Sequence, residues 1–210
     1  ITANGHYLAS TNGYQNIRIR SSAWTSGTVN INVWGSDSTS IIHRLDVKQN
    51  TATYSAATTF TIGTTPTDVF NIVGSSTKTI KITKLRITGT TTSWSPISTS
   101  ALLIKRSTAN SGGTRVPATV VPHDSNSAAA TVDIGHYTAN PSSLGTAIGN
   151  IRAHRVTFNQ SGITGGDIIW EFDLNEPIIL RGTSQQLCLN LGSTTITGDI
   201  LCVSCECQEI

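Results

Sequence analysis

The sequence predicts an all-β protein: an antiparallel β-sandwich or jelly-roll domain preceded by a small β module. Apolar and polar residues alternate with a period of two in one segment after another, as in strands with one buried face. Turn-forming clusters such as TSG, NSGG and SGITGGD separate these segments. Helical periodicity is weak, and the best candidate is one turn in DSNSAAAT (124–131), which Asp124 or Ser125 can cap.

Composition limits the classes of function. Of the 210 residues, 37% are hydrophobic and only 12% are charged, so hydroxyl and amide groups must provide solubility. A net charge of +2, with Arg and Lys dispersed along the chain, argues against a nucleic-acid partner. The sequence contains no apolar run long enough for a membrane span and no visible signal peptide. Because the chain begins with Ile1 and contains no Met, we expect a removed N-terminus or a longer parent chain.

The first predicted domain is a small β module over residues 1–50, with strands near 14–20, 28–34 and 41–47. So few strands need a cover for their apolar face, so we expect the module to be incomplete at its N-terminus and unstable alone. Its candidate interface residues are Trp24, Asn30, Asn32 and Trp34. Indoles are enriched at interfaces, and amides bind a partner without the desolvation cost of charges. The tryptophans can instead stack on sugar rings or cover the edge of the small sheet, and covering the edge is the commonest role of a single such residue.

The second predicted domain, the sandwich or jelly roll, covers residues 58–210, after a connection over residues 48–57. Roughly eight strands are expected from their spacing. The clearest alternating segments are 78–87, 101–106, 150–158, 167–173, 185–191 and 199–207. In KTIKITKLRITG the apolar phase changes between Ile82 and Leu85, which indicates a β-bulge within one strand. The alternative is two strands that meet at Thr83 and Lys84.

Patterns of catalysis and cofactor binding are missing from the sequence. It contains no G-x-S-x-G, P-loop or G-x-G-x-x-G motif. Carboxylates cluster only at Asp167, Glu171, Asp173 and Glu176, where a solvated strand face is favoured over a glycosidase pair. We therefore predict no catalytic residue, no cofactor and a protein that is not an enzyme.

Two segments contain residue types that bind metals, but neither predicts a metal site. PHDSNS brings His123, Asp124 and Asn126 together, either as an oxygen-rich corner for a hard cation or as a turn, and the turn is favoured. CVSCEC contains a C-x-x-C spacing, yet it alternates as a strand instead of wrapping around zinc. We therefore predict no metal ligands.

The four cysteines lie at positions 188, 202, 205 and 207. In the last strand Cys205 and Cys207 share the inward phase with Leu201 and Val203, and we expect them to act as small core residues. A hairpin over GSTTITGD sets Cys188 opposite either Cys202 or Ser204. In the first register a Cys188–Cys202 disulfide is geometrically feasible, and in the second both thiols stay free.

Several segments resemble structural proteins of tailed bacteriophage virions. GYQNIRIRSSAWTSGTVNINVWGSDSTSII is similar to a β module near the C-terminal ends of such proteins. PTDVFNIVGSSTKTIKITKLRITG, PHDSNSAAAT and ILRGTSQQLCLNLG are similar to the β domain that follows it. The resemblance implies a fibre- or decoration-type component on the extracellular particle surface. The chain departs from the family at Cys205 and Cys207, where apolar or aromatic residues are expected.

Residues and resemblance together predict a non-enzymatic structural component of a tailed-phage particle, at a capsid decoration, the neck or a tail fibre. Its expected partners are copies of itself or other virion proteins, and neither nucleic acid nor a membrane. The alternative is a glycan-binding adhesin or receptor-binding module that recognises a host-surface glycan. A polysaccharide-degrading enzyme is disfavoured, because the sequence offers no acid/base pair.

Overall fold

The structure, a computed structural model, describes residues 51–160, 166–174, 176–196 and 198–210. They belong to one compact unit, Lys48–Ile210. The predicted module over residues 1–50 lies outside the described residues, as do its strands. Among the residues that are described, no helix has the length and apolarity needed to cross a bilayer.

The described residues form strands joined by turns, which confirms the all-β prediction. The strands are β1 Thr53–Thr61, β2 Asp68–Val73, β3 Thr79–Thr91, β4 Ile97–Arg106, β5 Thr114–Pro117, β6 Val120–Pro122, β7 Asp133–Ala139, β8 Ala147–Gln160, β9 Asp167–Glu171, β10 Ile178–Arg181, β11 Gln186–Asn190 and β12 Ile200–Glu209.

The strands belong to one curled, mixed sheet with the order β5-β7-β2-β11-β4-β8-β3-β12-β1-β6, and β9 and β10 also pair with β3. We call β5, β7, β2, β11 and β4 the first half, and β3, β12, β1, β6, β9 and β10 the second half. Strand β8 joins them: it pairs antiparallel with β4 as far as Phe158 and then runs parallel to β3 at Asn159 and Gln160. The prediction of a purely antiparallel sheet is therefore wrong, because one long strand continues from the first half into the second.

The sheet curls around one core. Its terminal strands, β5 and β6, are separated in sequence by only Ala118 and Thr119, so the two ends of the strand order lie close together. Inward residues of both halves belong to the same hydrophobic cluster, for example Phe70 and Leu187 from the first half and Tyr54 and Ile87 from the second. Burial of apolar side chains from both halves stabilises the curl.

The predicted β-bulge in β3 is confirmed. Residue Lys84 pairs with Glu206 and Ile82 with Cys207, so Thr83 has no partner residue in β12. The extra residue lets Ile82 and Leu85, three positions apart, both face the core. Because β3 is continuous from Thr79 to Thr91, the alternative of two meeting strands is wrong.

One local expectation needs correction, and another is confirmed. The connection predicted over residues 48–57 does not extend to residue 57, because β1 begins at Thr53 and pairs with both β12 and β6. Its small residues hid the alternation that buries Tyr54, Ala56 and Phe60. In residues 124–131 the backbone makes a single turn, in which the Ser127 N–H donates to the Asp124 carbonyl (2.9 Å), and no helix follows in this segment.

The hairpin predicted between the last two strands is wrong. Strand β11 pairs with β2 and β4, whereas β12 pairs with β1 and β3. The segment between them crosses from one half to the other along residues 64–67, where the backbone N–H of Leu191 donates to Thr67 and that of Ile196 to Thr64. Cys188 and Cys202 are therefore free thiols in separate halves, which removes the geometric basis of the disulfide.

Candidate interaction surface

Strand alternation and register build a polar surface on the side of the second half that faces away from the core. In β12 the inward residues Leu201, Val203, Cys205 and Cys207 are buried as predicted. The surface, which we call the outer face, consists of outward residues that lie side by side across neighbouring strands. They are Ser55, Ala57 and Thr59 of β1, Cys202, Ser204 and Glu206 of β12, Lys84, Arg86 and Thr88 of β3, and Asp167, Ile169 and Glu171 of β9.

Small side chains make the centre of the outer face shallow. Ala57 pairs with Ser204, and Thr59 pairs with Cys202. Two adjoining grooves of about 370 and 400 Å³ share Ala57 and Ser204 in their linings. At the margins, Val121 of β6 is 54% exposed and Ile169 of β9 is 49% exposed. The face therefore combines a low hydroxyl-rich centre with apolar side chains at two sides.

Four of the five charged groups of the outer face form two ion pairs, and the fifth, Glu206, has no ion-pair partner among the described residues. Arg86 donates two hydrogen bonds to Asp167 (3.0 and 2.8 Å), and the ammonium of Lys84 lies 3.1 Å from Glu171. The hydrogen bonds from Arg86 hold the pKa of Asp167 below its usual value. Asp167 and Glu171 of the acidic cluster thus lie on the solvent side of β9, opposite buried Trp170, as the solvated-face interpretation predicted, whereas Asp173 and Glu176 follow the strand.

A serine and a histidine that are distant in sequence meet beside the outer face. The Ser55 hydroxyl is hydrogen bonded to Nε2 of His123, because β1 pairs with β6 immediately before that histidine. Serine nucleophiles need a base that a third group orients. Among the described residues the His123 ring has no hydrogen bond besides that to Ser55, and Asp124 instead accepts from the Asn126 N–H (2.9 Å), as the predicted turn requires.

The corresponding face of the first half is covered by its own loops, over a buried ion pair. Arg106 donates two hydrogen bonds to the Asp68 carboxylate (2.7 and 2.8 Å), and Asn110 and Asn190 each donate one more (2.8 Å). Asp68 is fully buried. Burial raises the pKa of Asp68, but the hydrogen bonds from Arg106, Asn190 and Asn110 outweigh it and lower that pKa.

The same network attaches two loops to the sheet. Arg106 donates to the Gly145 carbonyl (2.6 Å), and the Gly145 N–H donates to the side chain of Asn110 (2.8 Å). The backbones of Ser111 and Ser143 exchange two hydrogen bonds (2.9 and 3.1 Å). Residues 107–113 and 140–146 are therefore held together over this face, and Cys188 is buried beneath them.

The exposed strand edges carry features that oppose pairing with another strand. The terminal strands β5 and β6 are short and end at Pro117 and Pro122. Along residues 147–156 no described strand pairs with β8 on the side away from β4. In this stretch Ile148 and Ile151 have no partner residue in β4, which produces two bulges. Bulges and prolines are established protections of sheet edges.

A charged side chain adds to this protection in β8. Arg152 pairs with buried Leu103, so it lies on the core-facing side of the sheet, and its guanidinium is 5.2 Å from the ring centroid of Phe172. An inward-pointing charge at an edge opposes the approach of a second sheet. The outer face of the second half, and not a strand edge, is therefore the candidate contact surface.

The residues singled out in the sequence fall in different places. Trp24, Asn30, Asn32 and Trp34 lie outside the described residues, and the predicted thiol pair is separated as described above. Sequence reasoning missed the outer face, because its centre consists of Ser, Thr and Ala, which are common throughout the chain. It also missed the Ser55–His123 contact and the Asp68–Arg106 pair, which depend on strand pairing.

The chain was compared with models of protein families, with curated proteins and with solved structures. None of them matches it.

Proposed function

We propose that this chain is a non-enzymatic structural component of a tailed-phage particle, in a capsid decoration, the neck or a tail fibre. It lies on the extracellular surface of the virion and acts through contacts with further copies of itself or with other virion proteins. The observation that carries the proposal is the open outer face of the second half. The segments that resemble virion proteins supply the particle context.

The chemistry of the outer face suits contact with another protein. Its small hydroxyl groups lose little on desolvation if the partner offers hydrogen bonds, and four of its five charged groups are already paired. Val121 and Ile169 add exposed apolar area beside the grooves. A flat surface without protruding side chains at its centre allows another flat protein surface to approach closely.

The scaffold beneath this face is held at the C-terminal end of the chain. The Glu209 carboxylate accepts from the backbone N–H groups of Thr131 (2.6 Å) and Val132 (2.8 Å) and lies 3.2 Å from the Lys78 ammonium. Ile210 and Thr79 exchange two backbone hydrogen bonds of 3.0 Å. A component of a particle surface benefits from a strand that is fixed in this way, because frayed segments are preferred sites of proteolysis.

We further propose that the curled sheet is a variant of the sandwich or jelly-roll architecture, with the two halves as its layers. The single core shared by the halves and the short β5–β6 connection support this assignment. An experimental structure in which the inward faces of the halves do not face each other would contradict it.

The alternative function, a glycan-binding adhesin or receptor-binding module, is favoured by the chemistry of one groove. Arg86, Thr59 and Thr88 line it with groups that hydrogen bond to sugar hydroxyls. The described lining contains no aromatic ring on which a sugar can stack. We therefore place this function second.

Quantitative mass spectrometry of purified source particles tests the proposal. We expect a fixed copy number of this chain per particle, and its absence from particles would contradict the virion role. Ser204→Arg and Ala57→Arg place a bulky cation at the centre of the outer face and should abolish incorporation, whereas Thr183→Arg, at an exposed turn, is the matched control. If all three variants are incorporated, the contact surface does not lie at the centre of the outer face. Saturable binding to a glycan array that is lost in Arg86→Ala would instead favour the glycan-binding function.

A further inference from the structure

A buried histidine of β7 contacts β1 on the core side of the curled sheet. In β7, His136 pairs with the inward residue Phe70 of β2, and its ring stacks on Phe60 of β1 with a centroid separation of 4.3 Å and an interplanar angle of 15°. Its Nδ1 lies 3.1 Å from the hydroxyl oxygen of Thr58, also in β1. Because the described residues contain no backbone ladder between β1 and β7, these side-chain contacts link the first half to the second at this point.

The surroundings of His136 favour the neutral imidazole. The side chain is 7% exposed, and burial, together with the nearby charge of Arg115 in β5, lowers the pKa of His136 below its usual value. The anions of the adjacent elements already have cationic partners. Asp133 of β7 binds Arg115 (3.0 Å), and Asp68 of β2 binds Arg106.

Strand β1 faces His136 with Thr58 and Phe60, neither of which carries a charge. The face of the Phe60 ring is the contact that would favour an imidazolium, through a cation–π interaction. Burial and Arg115 oppose it. A measured pKa of His136 below its usual value therefore shows that burial and Arg115 dominate, and a raised pKa shows that the cation–π contact with Phe60 dominates.

We propose that His136 is a pH-dependent latch that keeps β1 against β7 while neutral and releases them when it is protonated in mildly acidic solution. This inference goes beyond the proposed function and does not depend on it. Protonation puts a positive charge into a site that is almost free of water and close to another cation. The charge can reach water only if β1 and β7 move apart.

The sign of the pH dependence follows from the lowered pKa. The folded protein binds the proton less readily than the unfolded chain, whose histidine has a pKa of about 6.5. The stability from this contact is fully present above that value, and it is lost as the pH falls from there to the folded pKa. Over that interval the folding equilibrium constant falls by up to about tenfold for each pH unit.

Three measurements on the full chain test the latch. First, the NMR titration of the His136 ring, assigned by its absence in His136→Gln, should give a midpoint below 6.5. A midpoint at or above 6.5 would mean that the cation–π contact dominates, and the proposal fails. This measurement uses the wild-type fold and therefore does not depend on the stability of any variant.

Second, chemical unfolding between pH 7.5 and pH 5 should show the acid-induced loss in the wild type and a smaller loss in His136→Gln. Glutamine retains a hydrogen-bonding group for Thr58 but does not titrate. His136→Phe, which retains a ring against Phe60, is used if the glutamine variant does not fold, and His154→Gln is the control at an exposed histidine. Equal acid-induced losses in the wild type and the His136 variant would overturn the latch.

Third, hydrogen exchange shows where the protein opens. After correction for the intrinsic effect of pH, amides of β1, β5, β6 and β7 should lose protection at pH 5 before those of β3, β11 and β12. In His136→Gln this order should disappear. Loss of protection that is uniform over all strands would indicate global destabilisation and would contradict a latch between β1 and β7.

Discussion

The outward face of the first half is covered by loops of the chain, whereas the outward face of the second half is exposed. In the first half, outward residues such as Asp68, Arg106 and Gln186 bind loops of the chain itself, and the face is closed. In the second half, outward residues such as Ala57 and Ser204 are too small to hold a loop, and the face stays open. The comparison shows that outward side-chain length and charge, and not strand alternation, decide which face remains available to a partner.

Reactivity of the thiols should give the largest difference between the halves. Cys202, on the outer face, is half-buried, whereas Cys188 is fully buried beneath the loops. Burial raises the pKa of Cys188 well above its usual value and that of Cys205 to about 12. We expect iodoacetamide to modify Cys202 at least about 10³-fold faster than the others, since these react only after opening. Peptide mapping of the native protein checks this, and fast labelling of Cys188 would show that the loops do not close the first half.

Breaking the buried ion pair should destabilise the protein most. Arg106→Ala leaves the Asp68 carboxylate buried without its cation, which costs about 3–5 kcal/mol of unfolding free energy. Because the folded pKa of Asp68 is lowered, its contribution is present above the unfolded pKa of about 3.8 and is lost as pH falls through the folded pKa. Urea unfolding at pH 7 measures the loss. A loss below about 1 kcal/mol would mean that the network does not hold the loops.

Replacing a second buried aspartate, Asp199, should stabilise the protein, whereas replacing the partner of Asp68 destabilises it. Neither carboxylate oxygen of Asp199, just before β12, has a well-formed hydrogen bond among the described residues. Burial raises the pKa of this group, and the nearby Thr91 hydroxyl offsets only part of that effect. Asp199→Asn should therefore increase stability at pH 7 by about 1–3 kcal/mol. For a raised pKa the favourable contribution exists below the unfolded pKa and is lost as pH rises through the folded one, so the gain should vanish near pH 3. Unfolding curves at both pH values decide this, and equal gains would exclude ionisation as the cause.

Variants on the outer face should have the smallest effect on stability. Arg86→Ala removes an exposed ion pair, and Ser204→Arg adds a side chain that can extend into water. Neither should change the urea midpoint by more than the error of the measurement, although Ser204→Arg should disrupt partner contacts. The pair Arg86→Ala and Arg106→Ala is thus a matched test of open and closed faces. A large destabilisation by Ser204→Arg would show that the outer face is covered in the folded chain.

Much of the local structure was predictable because strand alternation depends on neighbouring residues alone. The inward and outward positions of β9 and β12 and the bulge at Thr83 follow from a period of two and from a single change of phase. The strand from Thr53 was missed, because its small residues hide the alternation. The predicted interface at Trp24 and Trp34 remains a prediction, because those residues lie outside the described ranges.

The sequence by itself determined the all-β class, the faces of β9 and β12, the bulge in β3 and the burial of Cys205 and Cys207. Tertiary structure alone decided which strands pair: β11 and β12 follow each other in the chain yet lie in different halves. It also brought together the side chains of Asp68 and Arg106 and those of Ser55 and His123, which are distant in sequence. The physical reason is the sequence separation of the residues that interact. Alternation is set by the backbone geometry of consecutive residues, whereas partner choice depends on which distant apolar faces bury the most area together.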